Sequence, residues 1–164
     1  LFVAADRLRR RLNLFVSQHK SMIARFPKIQ YADLSSPQKE NFNFQKISAV
    51  LADYGFATIR LTDDWNGADC LALHNDGEKL KVQLKGRLTI GGKYMGKDLW
   101  IAATQAGGWF VYPHDEAIET IESVSPFLNS QSWQQDKLYT WRSPSKALVQ
   151  ALTPHFIKGD ASAG

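Results

Sequence analysis

A chain of 164 residues, 44% apolar and 22% charged, has the size and composition of one soluble globular domain with a sizeable core. No apolar run nears the ~20 residues that span a bilayer, no unbroken apolar stretch follows the N-terminal arginines as a secretory signal requires, and a single cysteine, Cys70, excludes an internal disulfide framework and fits a reducing cytoplasm. The net charge of +4 is unevenly placed: residues 1–34 hold seven Lys/Arg against two Asp/Glu, and residues 79–97 carry Lys79, Lys81, Lys85, Arg87, Lys93 and Lys97 with no acid, a pattern that attracts phosphate backbones or simply guards a strand edge.

In chain order, residues 1–34 read as a basic extension, with Leu8, Leu12, Phe15 and Val16 spaced for a helix through about residue 25. Residues 35–158 read as the main domain. Ser36 and Pro37 predict the cap and first position of a helix whose apolar face is Phe44, Ile47, Val50, Leu51 and Tyr54, stopped by Gly55. A strand follows over Phe56 to Leu61, then a polar loop from Thr62 to Gly67. Strands Leu71 to Leu73 and Leu80 to Ile90 flank Asn75-Asp76-Gly77. Leu99 to Ala103 and Trp109 to Tyr112 predict a second hairpin around Ala106-Gly107-Gly108. Pro113 opens a helix to about Val124 with Asp115 and Glu116 in its first turn. Residues 129–137 read as a polar stretch, Ser143-Pro144 as the start of a last helix over Ala147, Leu148, Ala151 and Leu152, and the last six residues, 159–164, as a flexible tail. A helix, several strands and then helices predict an α/β protein, a mixed sheet covered on both sides.

The chemistry concentrates in Asp69 and in Gln83-Leu84-Lys85, fourteen residues later. With period two, Gln83, Lys85 and Arg87 share one face of their strand, and Val82, Leu84 and Leu88 the other. Asp69 joins the polar face only if Asn75-Asp76-Gly77 forms a three-residue loop with Gly77 left-handed, which sets Asp69 opposite Gln83. A two-residue Asp76-Gly77 turn would set it opposite Leu84 and on the wrong side. In the first register, Asp69, the Gln83 side-chain oxygen and the Leu84 carbonyl are hard oxygens suited to Mg²⁺ or Mn²⁺. Lys85 is placed to hold or deprotonate a water, or to neutralise charge on phosphate oxygens. Glu40, in the first turns of the Ser36 helix, is a fourth candidate, with Asn41 and Gln45 weaker options. It has an ordinary alternative as a surface acid favoured by the helix dipole. Lys81, Arg87, Lys93 and Lys97 are candidates for holding the nucleic-acid backbone.

Other features have milder readings. His19, His74, His114 and His155 are too scattered for a zinc site. Gly91-Gly92-Lys93 lacks the spacing of a phosphate-cradling loop. Tyr112-Pro113-His114-Asp115-Glu116 holds acid–base types, but a proline-led helix start accounts for it. Trp100, Trp109, Trp133 and Trp141 could stack on bases, with Trp100 and Trp109 better read as packing.

The helix with Glu40, Gly67-Ala68-Asp69 and Val82-Gln83-Leu84-Lys85 together resemble the PD-(D/E)xK nuclease superfamily, in particular its Mrr-type restriction-endonuclease branch, where Gln replaces the second acid. The resemblance covers roughly residues 36–112. It implies a restriction-endonuclease-like fold and a metal-dependent endonuclease that hydrolyses phosphodiester bonds in DNA, with Asp69 and Gln83 near the metal and Lys85 catalytic. Two positions depart from the pattern: Ala68 stands where the superfamily has Pro, and the Gln83 amide removes one negative charge from the metal site. The chain as a whole also resembles a group of small bacterial proteins sharing the helix, Gly96 to Ala102 and Tyr112 to Glu116, which implies no particular activity. A catalytically inactive nucleic-acid-binding module and a protein-interaction domain docking through residues 1–34 are the competing expectations. RNA as substrate and self-association stay open.

Overall fold

The computed structural model describes residues 26–159. The expected helix in the basic extension and most of the expected tail lie outside the described residues. The chain divides into two units, Leu1–Asp33 and Leu34–Gly164. In the first, the described part ends in a 3₁₀ turn, Tyr31–Asp33. All that follows concerns the second.

Helix α1 (Ser36–Ala52) opens the unit. Its cap is Ser35 rather than the expected Ser36. The Gln38 side-chain oxygen accepts from the Ser35 N–H (2.9 Å), and Pro37 occupies the first turn, where a missing N–H costs nothing. Strands β1 (Phe56–Trp65), β2 (Ala68–His74), β3 (Lys79–Lys85), β5 (Leu99–Gln105), β6 (Gly108–Pro113) and β8 (Phe156–Lys158) form a six-stranded sheet in the order β1-β2-β3-β5-β6-β8. The β3–β5 pairing is parallel and the others antiparallel, so the sheet is mixed. Strands β4 (Thr89–Gly91) and β7 (Leu138–Thr140) make a separate two-stranded ribbon. Helices α2 (His114–Val124), α3 (Gln131–Asp136) and α4 (Lys146–Ala151) complete an α/β fold.

Alternation along the strands builds two cores. Val82, Ala102, Trp109 and Val111 on one face pack with Cys70 and Ala72 against Ile47, Val50 and Leu51 of α1. On the other face, Leu99, Ile101, Ala103, Phe110 and Tyr112 pack against Ala117 and Ile121 of α2, Leu148 of α4 and the aromatic group Phe127, Trp133 and Trp141.

Several expectations are corrected. The polar stretch Thr62 to Gly67 is not a loop: β1 runs on to Trp65, and Asn66 (φ 57°) with Gly67 (φ 91°) forms the two-residue turn that pairs Trp65 with Ala68. The strand expected from Leu80 to Ile90 breaks at Gly86-Arg87, where the chain leaves one sheet for the other. The Thr104 hydroxyl donates to the Gly86 carbonyl (2.7 Å) and the Trp141 N–H to the Leu88 carbonyl (3.0 Å), so both sides of the break are held. Leu88 consequently joins the second core rather than the face of Val82. Residues 129–137 contain α3, capped by the Ser130 hydroxyl, which accepts from the Trp133 N–H. Helix α4 is capped by Ser145, not Ser143.

Candidate active site

The β2–β3 turn decides whether a site exists. The His74 N–H donates to the Glu78 carbonyl (2.9 Å), enclosing Asn75, Asp76 and Gly77, and Gly77 is left-handed at φ 99°. The pairing from Leu73↔Lys79 to Cys70↔Val82 therefore extends to set Asp69 opposite Gln83. At that step side-chain bonds take over from backbone pairing. The Asp69 Oδ2 accepts from the Leu84 N–H (2.7 Å) and from the Gln83 Nε2. The same Nε2 lies 3.4 Å from the Leu84 carbonyl oxygen. Two of the oxygens expected to hold a cation thus face one common donor.

Lys85 closes β3 beside them, with its ammonium over the ring of buried Tyr94 (5.2 Å to the centroid) and that of Lys93 over the same ring (5.1 Å). Burial pushes the Lys85 ammonium below its ordinary range, against the opposing pull of the Asp69 and Glu40 charges. Burial likewise raises the Asp69 carboxyl. The Leu84 N–H and the charges of Lys85 and Arg60 resist that rise, and the Glu40 charge adds to it. Glu40, exposed on α1, therefore acts on both groups through its field, although α1 covers the opposite face of the sheet.

The expected phosphate-binding residues divide. Lys93 joins the site through Tyr94. Lys81 sits four residues before Lys85 on β3, about 13 Å away along the strand. Its ammonium is engaged internally, donating to the Lys97 carbonyl (2.5 Å) and pairing with Asp98 (3.3 Å). Arg87, expected on the face of Gln83 and Lys85, lies exposed beyond the end of β3, because the strand bends away at Gly86.

Tyr112-Pro113-His114-Asp115-Glu116 acts as a clamp. His114 is fully buried, and its Nε2 accepts from the Gly91 N–H (3.2 Å). Its Nδ1 donates to Asp115 (2.7 Å), whose other oxygen accepts from the Gly96 N–H (2.8 Å). The pair pins both ends of the segment that seats Tyr94 under Lys85. Trp109, Trp133 and Trp141 are buried (0%, 7% and 7% exposed), which removes them as stacking platforms. Cys70 is buried too, and burial pushes its thiol up to about 12, so it is no nucleophile.

Three contributors were not expected from the sequence: Arg60, Tyr94 and Trp65. Closing β1 onto β2 at Asn66-Gly67 would have found the third, by setting Trp65 opposite Ala68, but not the first: the register shifts between Arg60 and Trp65, and only that irregularity brings Arg60 opposite Cys70.

The groups that would hold a divalent cation are the Asp69 carboxylate, the Leu84 carbonyl and, after a half-turn of its amide, the Gln83 oxygen, both of the first two already lying within reach of the Gln83 amide. Among the described residues no group of three or more His, Cys, Asp or Glu gathers for a metal, and no helix is long and apolar enough to cross a membrane. No family model, characterised protein or solved structure matches the chain.

Proposed function

We propose that the chain is a metal-dependent phosphodiesterase acting on DNA, of the PD-(D/E)xK type that its motifs resemble. The observation that carries this is the convergence of the Asp69 carboxylate, the Gln83 amide and the Leu84 carbonyl beside a half-buried lysine. Asp69 and Leu84, joined by the Gln83 oxygen after its amide turns, would hold Mg²⁺ or Mn²⁺. The ion, when bound, supplies Lewis-acid activation of water and phosphate. Lys85, held short of full basicity by burial, either takes a proton from the attacking water or, charged, neutralises the phosphate oxygens. Lys93 adds positive charge beside the site, and Arg60 and Glu40 act on Asp69 through their fields.

Plasmid and single-stranded DNA incubated with Mg²⁺ or Mn²⁺ test the reading. Cleavage is expected, and Lys85→Ala or Asp69→Asn should lower it by about 100-fold or more. DNA left intact by the wild-type chain under every metal condition would overturn it, as would cleavage that survives Lys85→Ala.

One observation favours a second reading. The Gln83 Nε2 already donates to Asp69 and faces the Leu84 carbonyl, a self-satisfied network that needs no cation. A nucleic-acid-binding module without chemistry would bind DNA in a salt-dependent way and respond to no metal.

A further inference from the structure

Of the five tryptophans, Trp65 is the most exposed, at 57%. Its position is defined by the β1–β2 hairpin. Trp65 pairs with Ala68, which is 2% exposed and immediately precedes Asp69. Adding one cross-strand step to one residue along the chain puts the Trp65 and Asp69 Cα atoms within roughly 9 Å. The turn that follows the ring is seated on the domain. Asn66 and Gly67 are both left-handed, and a Cβ placed on Gly67 would meet Leu99 at 3.1 Å and Tyr94 at 3.4 Å, so the turn rests directly on the ring beneath Lys85. Two ammonium groups, those of Lys85 and Lys93, lie over that same ring.

A wide aromatic face held out beside a seated turn, with two ammonium groups over the ring that the turn rests on, has the makeup of a single-strand nucleotide platform, in which the ring takes a base while cations take the phosphates. In an intact duplex both faces of a base are covered by its neighbours, so the ring can only be used by a base already free of its stack. We propose that Trp65 stacks on an unpaired base and that the site therefore takes single-stranded or frayed nucleic acid in preference to intact duplex. The inference deepens the phosphodiester reading above and rests on it: the site must meet nucleic-acid phosphates for the ring to meet a base.

Binding can be separated from chemistry by working in EDTA. A short oligothymidylate, which neither pairs nor folds, is titrated against the full chain beside a blunt duplex of equal length. Affinity is read by anisotropy of an end label, and Trp65 by the loss of acrylamide access to its fluorescence. Oligothymidylate should bind more tightly than duplex and shield the exposed tryptophan. Trp65→Ala should weaken oligothymidylate binding about ten-fold while leaving duplex binding nearly unchanged, and Trp65→Phe should keep most of the affinity. The residue is exposed and its removal leaves no cavity, and a melting curve of each variant checks folding. Equal binding of oligothymidylate by the wild-type chain and Trp65→Ala would overturn the proposal, as would duplex binding as tight as single-strand binding. The failures are distinguishable. Metal-dependent cleavage with no effect of Trp65→Ala removes the stacking role and leaves the active site standing. Trp65-dependent binding with no cleavage under any metal removes the chemistry and leaves the platform. Absence of binding to either nucleic acid removes both.

Discussion

Burial drives the Asp69 carboxyl up and the Lys85 ammonium down, so both groups are moved toward their neutral forms while each other's charge resists. The consequences for stability have opposite signs. With Asp69 raised, the folded chain keeps a proton the unfolded chain has lost, so this residue's contribution falls as pH rises from 3.8 to the folded value. With Lys85 lowered, the unfolded chain holds the extra proton, so its contribution improves as pH rises from the folded value to 10.5. Asp69→Asn should therefore remove the acid-side decline and leave the melting temperature at neutral pH equal or higher. A melting series against pH for the two proteins checks this, and a variant that simply loses stability at every pH contradicts it. Gln83→Glu probes the cation directly. It replaces the amide donor by a second carboxylate beside Asp69, which should cost about 1–2 kcal/mol without metal through the lost hydrogen bond and like-charge repulsion. Mg²⁺ should then restore stability by mass action and shift the melting temperature far more in the variant than in the wild type. Melting curves with and without Mg²⁺ decide it: no shift in either protein would show that the Asp69 and Leu84 oxygens do not serve as a cation site.

At the scale of elements, what could be read from the chain depended on whether local chemistry or remote pairing made the decision. The three-residue loop at Asn75-Asp76-Gly77 was legible because Gly in the last loop position suits one register, and that register sets Asp69 opposite Gln83. The Asn66-Gly67 turn carries an equally strong local signal, but the polar run Thr62-Asp63-Asp64 before it reads as loop and so hides Trp65; Arg60 is hidden further by the register shift between it and Trp65, which no local signal marks. The break at Gly86 could not be read locally. Apolar alternation continues across it, and only the remote strand β7 and the Thr104 hydroxyl decide that the chain changes sheet there. Helix α3 was hidden for a similar reason: six mostly polar residues are anchored by the single buried side chain of Trp133. The clamp from α2 shows how such remote contacts support the site. His114→Ala would strip the Gly91 N–H of its acceptor and open a void beside Tyr94, at about 2–4 kcal/mol. Burial tends to raise the Asp115 carboxyl, but the bonds from His114 and Gly96 hold it below the ordinary range. Its support is therefore present above pH 3.8 and lost as pH falls through its folded value. Hydrogen exchange should show the Gly96 amide losing protection in Asp115→Ala, while the strands of the central sheet keep theirs. Uniform loss across the sheet would mean that the clamp belongs to the global fold and not to the loop.

For the unit from Leu34 onward, charge placement matters more than net charge. Helix α2 offers Asp115, Glu116, Glu119 and Glu122 with no cation, and Asp115 ties it to the segment that carries Lys93. On the proposed reading, a phosphate backbone would be repelled along that helix and drawn toward Lys85 and Lys93, so the acidic helix would narrow the direction of approach. The basic run at residues 79–97 was plain from composition, but composition treats its six cations as equivalent and the folded chain does not. Lys81 spends its ammonium on the Lys97 carbonyl and Asp98, which fixes the start of β5 against β3, whereas the ammonium of exposed Lys93 lies over the Tyr94 ring beside the site. Counterion release turns this difference into a measurement. Each phosphate that the protein ceases to neutralise makes the slope of log affinity against log salt shallower by about one, and by less for single strands. Lys93→Ala should flatten the slope by close to the share of a single phosphate and weaken binding to every sequence alike. Lys81→Ala should leave the slope where it is and register instead as a lower melting temperature, since its removal unties the Lys97-Asp98 turn. Binding isotherms for the two variants across a salt series separate the roles. A slope that falls equally for both would mean that the internal bonds of Lys81 open when nucleic acid arrives, making the β3–β5 junction part of the binding surface.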